Sequence, residues 1–239
     1  MQAGTNGYNQ PTMSDLPYAT IDVLGADALG FLQGQLTADL SSLRGEERLW
    51  SAWCNPQGRV ICMLTVAAIE GGYALTLPAE LADEVVKRLT LFRFRARVEF
   101  GVRPATPAEL AIESSVDDWM RDKLRAGRAE IWRGQSEKFT PHMLNLDLLG
   151  AVSLDKGCYT GQEVVARTHY RGATKRRCLR FESAEPVAAG DKIYAGDRAV
   201  GEVVNALGND LLAVVPVDKA DSDLTVDGIV LTNVPLPYL

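Results

Sequence analysis

Beyond Lys175 the chain is cut by Gly-Asp, Gly-Asn and Pro into short apolar stretches. Cys178–Glu182, Lys192–Tyr194, Val200–Asn205, Leu211–Pro216 and Ile229–Thr232 each read as a strand. Short strands at even spacing, separated by turn residues, predict a small β-barrel. This change of pattern marks residues 175–239 off as a unit of their own.

The preceding part has a different grammar. Thr20–Gly25 reads as a strand, and Asp27 is placed to cap a helix running to about Leu40, with Leu29, Leu32, Leu36 and Leu40 on its buried face. Gly30 and Gly34 cost such a helix roughly 1 kcal/mol each, which predicts close approach of another backbone. Trp50–Cys54, Arg59–Ile69 and Tyr73–Leu77 read as three strands joined by Asn-Pro-Gln-Gly and Glu-Gly-Gly turns. A helix follows, with Pro78 in its first turn and Leu81, Val85, Val86 and Leu89 on one face. Phe92–Phe100 alternates strictly, predicting a strand with Phe92, Phe94, Ala96, Val98 and Phe100 inward. Arg93, Arg95 and Arg97 would share its other face, lining a ligand channel or simply meeting solvent. A further helix is expected over about Val116–Ala126, between Ser115 and Gly127.

The chain has 239 residues, 46% hydrophobic and 23% charged, as expected for a globular protein with a sizeable core. No apolar run approaches the ~20 residues a membrane helix needs. Met1–Pro17 is polar and lacks the features of a signal or transit peptide, so it reads as a loose leader, with Met13 an alternative start. Cys54, Cys62, Cys158 and Cys178 show no C-x-x-C spacing, and no His/Cys pair has metal-ligand spacing, so no metal is expected. A symmetric hairpin sets Cys54 opposite Arg59 and Cys62 opposite Ser51, out of register for a disulfide. Free thiols imply a reducing compartment, the cytoplasm. The net charge of −6 argues against direct nucleic-acid binding. Between Arg167 and Arg180, however, six basic residues occur with no acid, suiting an anionic ligand or a solvated face.

One stretch holds most of the chemistry: Lys156-Gly157-Cys158-Tyr159-Thr160-Gly161-Gln162-Glu163, continuing through Val164-Val165-Ala166 to Arg167, His169 and Arg171. Its glycines allow positive φ or close backbone approach, and the apolar run enters the core. This octapeptide resembles the signature of the YgfZ family, folate-binding proteins related to the glycine cleavage T-protein, an aminomethyltransferase. Phe31-Leu32-Gln33-Gly34-Gln35-Leu36-Thr37-Ala38-Asp39 is similar to the family's opening helix. Asn55-Pro56-Gln57-Gly58-Arg59-Val60 resembles its first hairpin turn, and Phe139-Thr140-Pro141 with Leu144-Asn145-Leu146 the run-up to the signature.

The resemblance implies an α+β, T-protein-like fold around a central cavity. It divides the chain into a discontinuous folate-binding domain (1–49 and 106–174), a ferredoxin-like subdomain (50–105) and a C-terminal β-barrel (175–239). The implied ligand is tetrahydrofolate or a derivative. A flat pterin with a carboxylate tail needs a carboxylate or carboxamide, an aromatic wall and cations. Asp155, Gln162 and Glu163 are the expected pterin partners, Tyr159 the wall, and Arg167 and Arg171 the cations for the tail. Asp155-Lys156-Gly157 falls where the T-proteins carry a Glu-Ala-Gly. Their acid pair falls on Cys62 and Met63, neither of which does a carboxylate's work.

Cys158 is the reactive candidate, with Lys156 and the nearby arginines expected to favour its thiolate and His169 considered as a base. Read alone, the same cysteine suits a core position. The implied role is an accessory factor, rather than an aminomethyltransferase, that binds folate and supports iron–sulfur cluster assembly or repair in client proteins, tRNA-modifying ones included.

Overall fold

Strand β1 (Tyr18–Leu24) is hydrogen-bonded on both sides, to β4 (Gly72–Pro78) and β5 (Glu99–Pro104), so it lies inside a sheet. With β2 (Arg48–Cys54) and β3 (Val60–Ile69) these strands form a five-stranded antiparallel sheet of order β2-β3-β4-β1-β5. The computed structural model describes residues 16–171 and 174–239. The leader up to residue 15, with Met13, lies outside the described residues. The sheet crosses the expected boundary at residue 50, because the partners of β1 lie about fifty and eighty residues further along. Local sequence carries no record of such a pairing.

Side chains alternate across a strand, and here both faces are used. On one face Ile21, Val23, Leu64, Val66 and Leu75 pack against Leu32 of α1 (Ala28–Gln33) and Leu81, Val85 and Leu89 of α2 (Ala79–Phe92). On the other, Ala52, Cys54, Val60 and Met63 join Leu144, Leu146, Cys178, Leu212 and Val214. That second cluster fastens the sheet to the barrel. Burying each Leu or Val contributes roughly 1.5–3 kcal/mol, so the two units share a core.

Two expected elements end elsewhere. Helix α1 stops at Gln33, because the chain then extends along β2: Leu36 bridges to Trp53, and the Thr37 amide donates to Ala52 O. Leu36 and Leu40 are still buried, whereas Leu29 is exposed. Asp27 makes no side-chain cap; its carboxylate holds Arg97. A Cβ on Gly30 would meet nothing, so no backbone approaches there. The alternating run Phe92–Phe100 is not a strand. α2 continues through Phe92, the chain turns, and β5 begins at Glu99; Phe94, at φ 45°, is 88% exposed. Alternation in sequence was copied by a helix end and a turn.

A short α3 (Pro107–Leu110) carries a Thr106–Glu109 capping box, and α4 (Val116–Arg125) is capped by Ser115. After α5 (Gln162–Tyr170), a closed six-stranded barrel runs β10-β11-β6-β9-β8-β7. Its strands are β6 (Arg176–Ser183), β7 (Lys192–Ala195), β8 (Arg198–Leu207), β9 (Asp210–Pro216), β10 (Leu224–Val226) and β11 (Ile229–Val234). The three-residue β10 is too short to announce itself in sequence. The molecule is α+β, and among the described residues no helix is long and apolar enough to cross a membrane.

Candidate functional site

Three segments far apart in sequence build the site. The first is the hairpin turn between β2 and β3. Asn55 Oδ1 accepts from the amides of Gln57 and Arg59, and Asn55 Nδ2 donates 2.8 Å to Glu137. Glu137 is held in turn by Arg88, whose guanidinium keeps that carboxyl below its ordinary pKa. The ladder slips between Trp53 and Cys54, so Cys62 stands opposite Trp53 and Cys54 opposite Val60, a different register from the symmetric one. All four cysteines are free thiols.

The second segment is Gln33–Asp39 and the third the signature loop, which it seats. Thr160 N donates to Gly34 O (3.2 Å), and Ser153 N to Thr37 O (2.8 Å). Buried Gln35 accepts from Trp53 Nε1 (3.3 Å) and from Thr160 Oγ1 (3.4 Å). Lys156 Nζ donates to the carbonyls of Leu36 (2.8 Å) and Ala38 (2.7 Å) and lies 5.4 Å from the Tyr159 ring centroid. Burial pushes the Lys156 ammonium down to about 8, partly offset by Asp39. Bonds from Ser41 and Gln33 hold Asp39 itself at about 2.

Gly161 closes the loop at φ 83°, and Gly58 of the hairpin turn, at φ 69°, sits beneath it. Gly157, by contrast, has open space where a Cβ would be.

This frame sorts the residues expected from sequence. Lys156 faces backbone carbonyls, so it anchors the loop. Tyr159 is buried, and its phenol, pushed up by burial, has no hydrogen-bond partner among the described residues. Gln162 Oε1 accepts from the Tyr159 amide (3.2 Å), so its side chain serves the start of α5. Val165 enters the core as expected. Asp155, Cys158, Glu163, Arg167 and Arg171 are exposed. His169 stands near the far end of α5, roughly 10 Å along the axis from Gln162 at ~1.5 Å per residue, and so is not poised over Cys158. Of the basic run, Arg177 is bound to Asp147 and Arg180 to Asp210.

Sequence reasoning missed a cavity of about 520 Å³ at the seam between hairpin turn and barrel. Phe139, Arg59, Lys138, Arg176, Lys192 and Glu202 are among its lining residues. Glu202 is neutralised by Lys138 and Lys192, and Arg176 Nε is buried without a partner among the described residues. Cations contributed by β6 and β7 converge there only when the barrel closes. Cys62 and Met63 are both fully buried, with no carboxylate at that place in the sheet.

Comparison with known proteins agrees with this architecture. Residues 175–236 match the family described as CAF17, C-terminal beta-barrel domain. The tRNA-modifying protein YgfZ of Klebsiella pneumoniae is 29% identical over 302 aligned residues, covering 95% of this chain and 92% of that one. The YgfZ protein of Sodalis glossinidius is 27% identical, covering 92% and 90%. The chain is similar to the YgfZ proteins over nearly its whole length. Among solved structures, the glycine cleavage system aminomethyltransferase T from Bartonella henselae superimposes with a TM-score of 0.69. The two chains share 14% identity over 93% of this chain and 84% of that one. At that identity the likeness concerns fold: this chain has the T-protein architecture, with its octapeptide seated between the opening segment and the first hairpin turn.

Proposed function

We propose that this protein is a tetrahydrofolate-binding accessory factor that presents Cys158 to iron–sulfur client proteins, tRNA-modifying ones among them, in the cytoplasm. The observation that carries the reading is the contrast among its thiols. Cys158 is exposed on a loop fixed by Lys156, Thr160 and Gly161, while Cys54, Cys62 and Cys178 are buried. An accessible sulfur on a rigid loop suits meeting a partner rather than filling a core. The YgfZ relatives named as tRNA-modifying support the choice of clients.

For folate, the chemistry of the donor set at the seam cavity fits. It offers an aromatic and apolar wall from Phe139, Met143 and Val214, and cations from Arg59, Arg176 and Lys192 for glutamate carboxylates. Arg176 Nε is a buried donor with no acceptor among the described residues. Asp155, Glu163, Arg167 and Arg171 are exposed, so in this reading they meet an outer part of the ligand or the client. Bound tetrahydrofolate supplies a reduced pterin able to carry a one-carbon unit; the chain's own part is to enclose and orient it. An aminomethyltransferase is the weaker reading, since buried Cys62 and Met63 stand where the acid is needed.

Two measurements test the proposal. Calorimetry with tetrahydrofolate on folate-free protein should show one site, with Arg176→Ala weakening a polyglutamylated ligand more than the bare pterin. Larger losses from Arg167→Ala and Arg171→Ala would move the tail to α5, and no binding at all would end the folate reading. In a strain lacking the protein, Cys158→Ala should fail to restore iron–sulfur enzyme activity; full complementation would remove the thiol from the function.

A further inference from the structure

His142 is 2% exposed, and among the described residues neither ring nitrogen has a hydrogen-bond partner. A buried polar group left unpaired forfeits its hydration with nothing in return, and an imidazole carries two such atoms. Its neighbours are informative. The His169 ring on the last turn of α5 lies 6.0 Å away between centroids, and Asp147 completes a group whose nearest donor atoms all lie within 4.8 Å of one another.

We propose that His142, Asp147 and His169 form a binding site for one divalent transition-metal ion of the imidazole-preferring class, zinc or ferrous iron. Two imidazoles and a carboxylate are a donor set these ions take, with positions left for water. Ligands at ~2.0–2.1 Å around a tetrahedral ion lie roughly 3.3–3.5 Å apart, so the set must tighten by up to about 1.5 Å. The exposed His169 side chain, beside Tyr170 at 5.4 Å, has the freedom to supply that movement.

The other two donors are held by backbone. His142 sits in the 3-10 turn Pro141–Leu144, capped by Thr140 and closed by Asn145 at φ 58° and by Leu146 N donating to Pro141 O (3.0 Å). That fixes the path between His142 and Asp147. Arg177 from β6 grips Asp147 with two bonds of 2.8 and 2.9 Å and also donates to His142 O. A carboxylate offers about four lone-pair sites, so two stay available after Arg177 is satisfied. The guanidinium orients the ligand as an outer-shell group does, while its charge moderates affinity. The consequence for the fold is specific. A bound ion would tie the end of α5 to the 141–147 turn and, through Arg177, to the barrel, steadying the helix that begins in the Cys158 loop.

The test uses the full chain after treatment with chelator, titrated with Zn²⁺ alone and with Co²⁺ alone. One equivalent should bind, raise the melting temperature and, with Co²⁺, give visible bands without a thiolate charge-transfer band. His169→Ala, at an exposed position that folding does not need, should lower affinity by at least about tenfold. Cys158→Ser should leave binding unchanged. The proposal falls if no ion binds at one equivalent. It also falls if His169→Ala binds as tightly as the parent, or if Cys158→Ser abolishes binding.

Discussion

Gly161 rests on the carbonyl of Asn55 so closely that a Cβ on Gly161 would lie 2.5 Å from that oxygen and 3.1 Å from the Cα of Gly58. Two turns more than a hundred residues apart are therefore stacked backbone to backbone, and the signature loop is positioned by the first hairpin.

Gly161→Ala combines a clash with backbone atoms and a left-handed φ of 83°. Strain of that kind costs ~1–3 kcal/mol before the clash is counted. Urea unfolding should show a loss of at least about 2 kcal/mol. Gly157→Ala, with open space and no positive φ, should stay within about 0.5 kcal/mol of the parent. Equal effects at both glycines would mean that the stacking does not stabilise the loop.

The thiols should separate cleanly. Burial pushes Cys54 and Cys178 up to about 12 and Cys62 well above the ordinary thiol value, whereas Cys158 is exposed. Brief iodoacetamide treatment of native protein at neutral pH should label Cys158 alone by mass spectrometry, and denatured protein at all four positions. Labelling of any second cysteine at a comparable rate contradicts this arrangement.

Lys156 gives a pH signature of known sign. Its folded pKa, about 8, lies below the ordinary 10.5. Between those values the unfolded chain holds a proton that the folded one has released, so stability from this group rises with pH across the window. Below pH 8 both states are protonated and the desolvation cost is felt in full. Lys156→Met should remove that rise. Buried Tyr159, whose folded pKa is raised, contributes with the opposite sign, so the difference between parent and variant curves is the readout. A flat difference between pH 8 and 10.5 would place the ammonium in solvent.

Asn145 is fully buried at φ 58°, donating 2.6 Å to Cys178 O and accepting from Arg177. Asn145→Ala should cost about 2–3 kcal/mol from buried groups left unpaired. Asn145→Gly, which tolerates the conformation, should cost measurably less. Should the two be equal in chemical denaturation, backbone strain contributes nothing at this position.

Much of the fold was readable because periodicity and turn residues are local records of burial. The hairpin strands β2 to β4, helices α2 and α4, and five of the six barrel strands stand close to where apolar spacing set them. Cys158, in a glycine-bounded loop, also marked itself by its neighbours. Local pattern failed where two conformations share it: Phe92–Phe100 alternates like a strand, yet α2 gains more hydrogen bonds by continuing and the chain then has to turn. Leu36 and Leu40 keep helical spacing, yet pairing with β2 satisfies that backbone instead.

What the sequence by itself determined is which residues must be buried, where the chain turns, and that a thiol, a cation and a carboxylate gather in one octapeptide with glycines at two positions. Tertiary structure alone decided that β1 enters mid-sheet and that Lys156 binds the carbonyls of Leu36 and Ala38. It also made the seam cavity from barrel cations and brought His142 to His169. Each of these is a choice among distant partners. It depends on which hydrogen bonds and buried surfaces are jointly satisfied when the whole chain closes, and no short window of residues contains that sum.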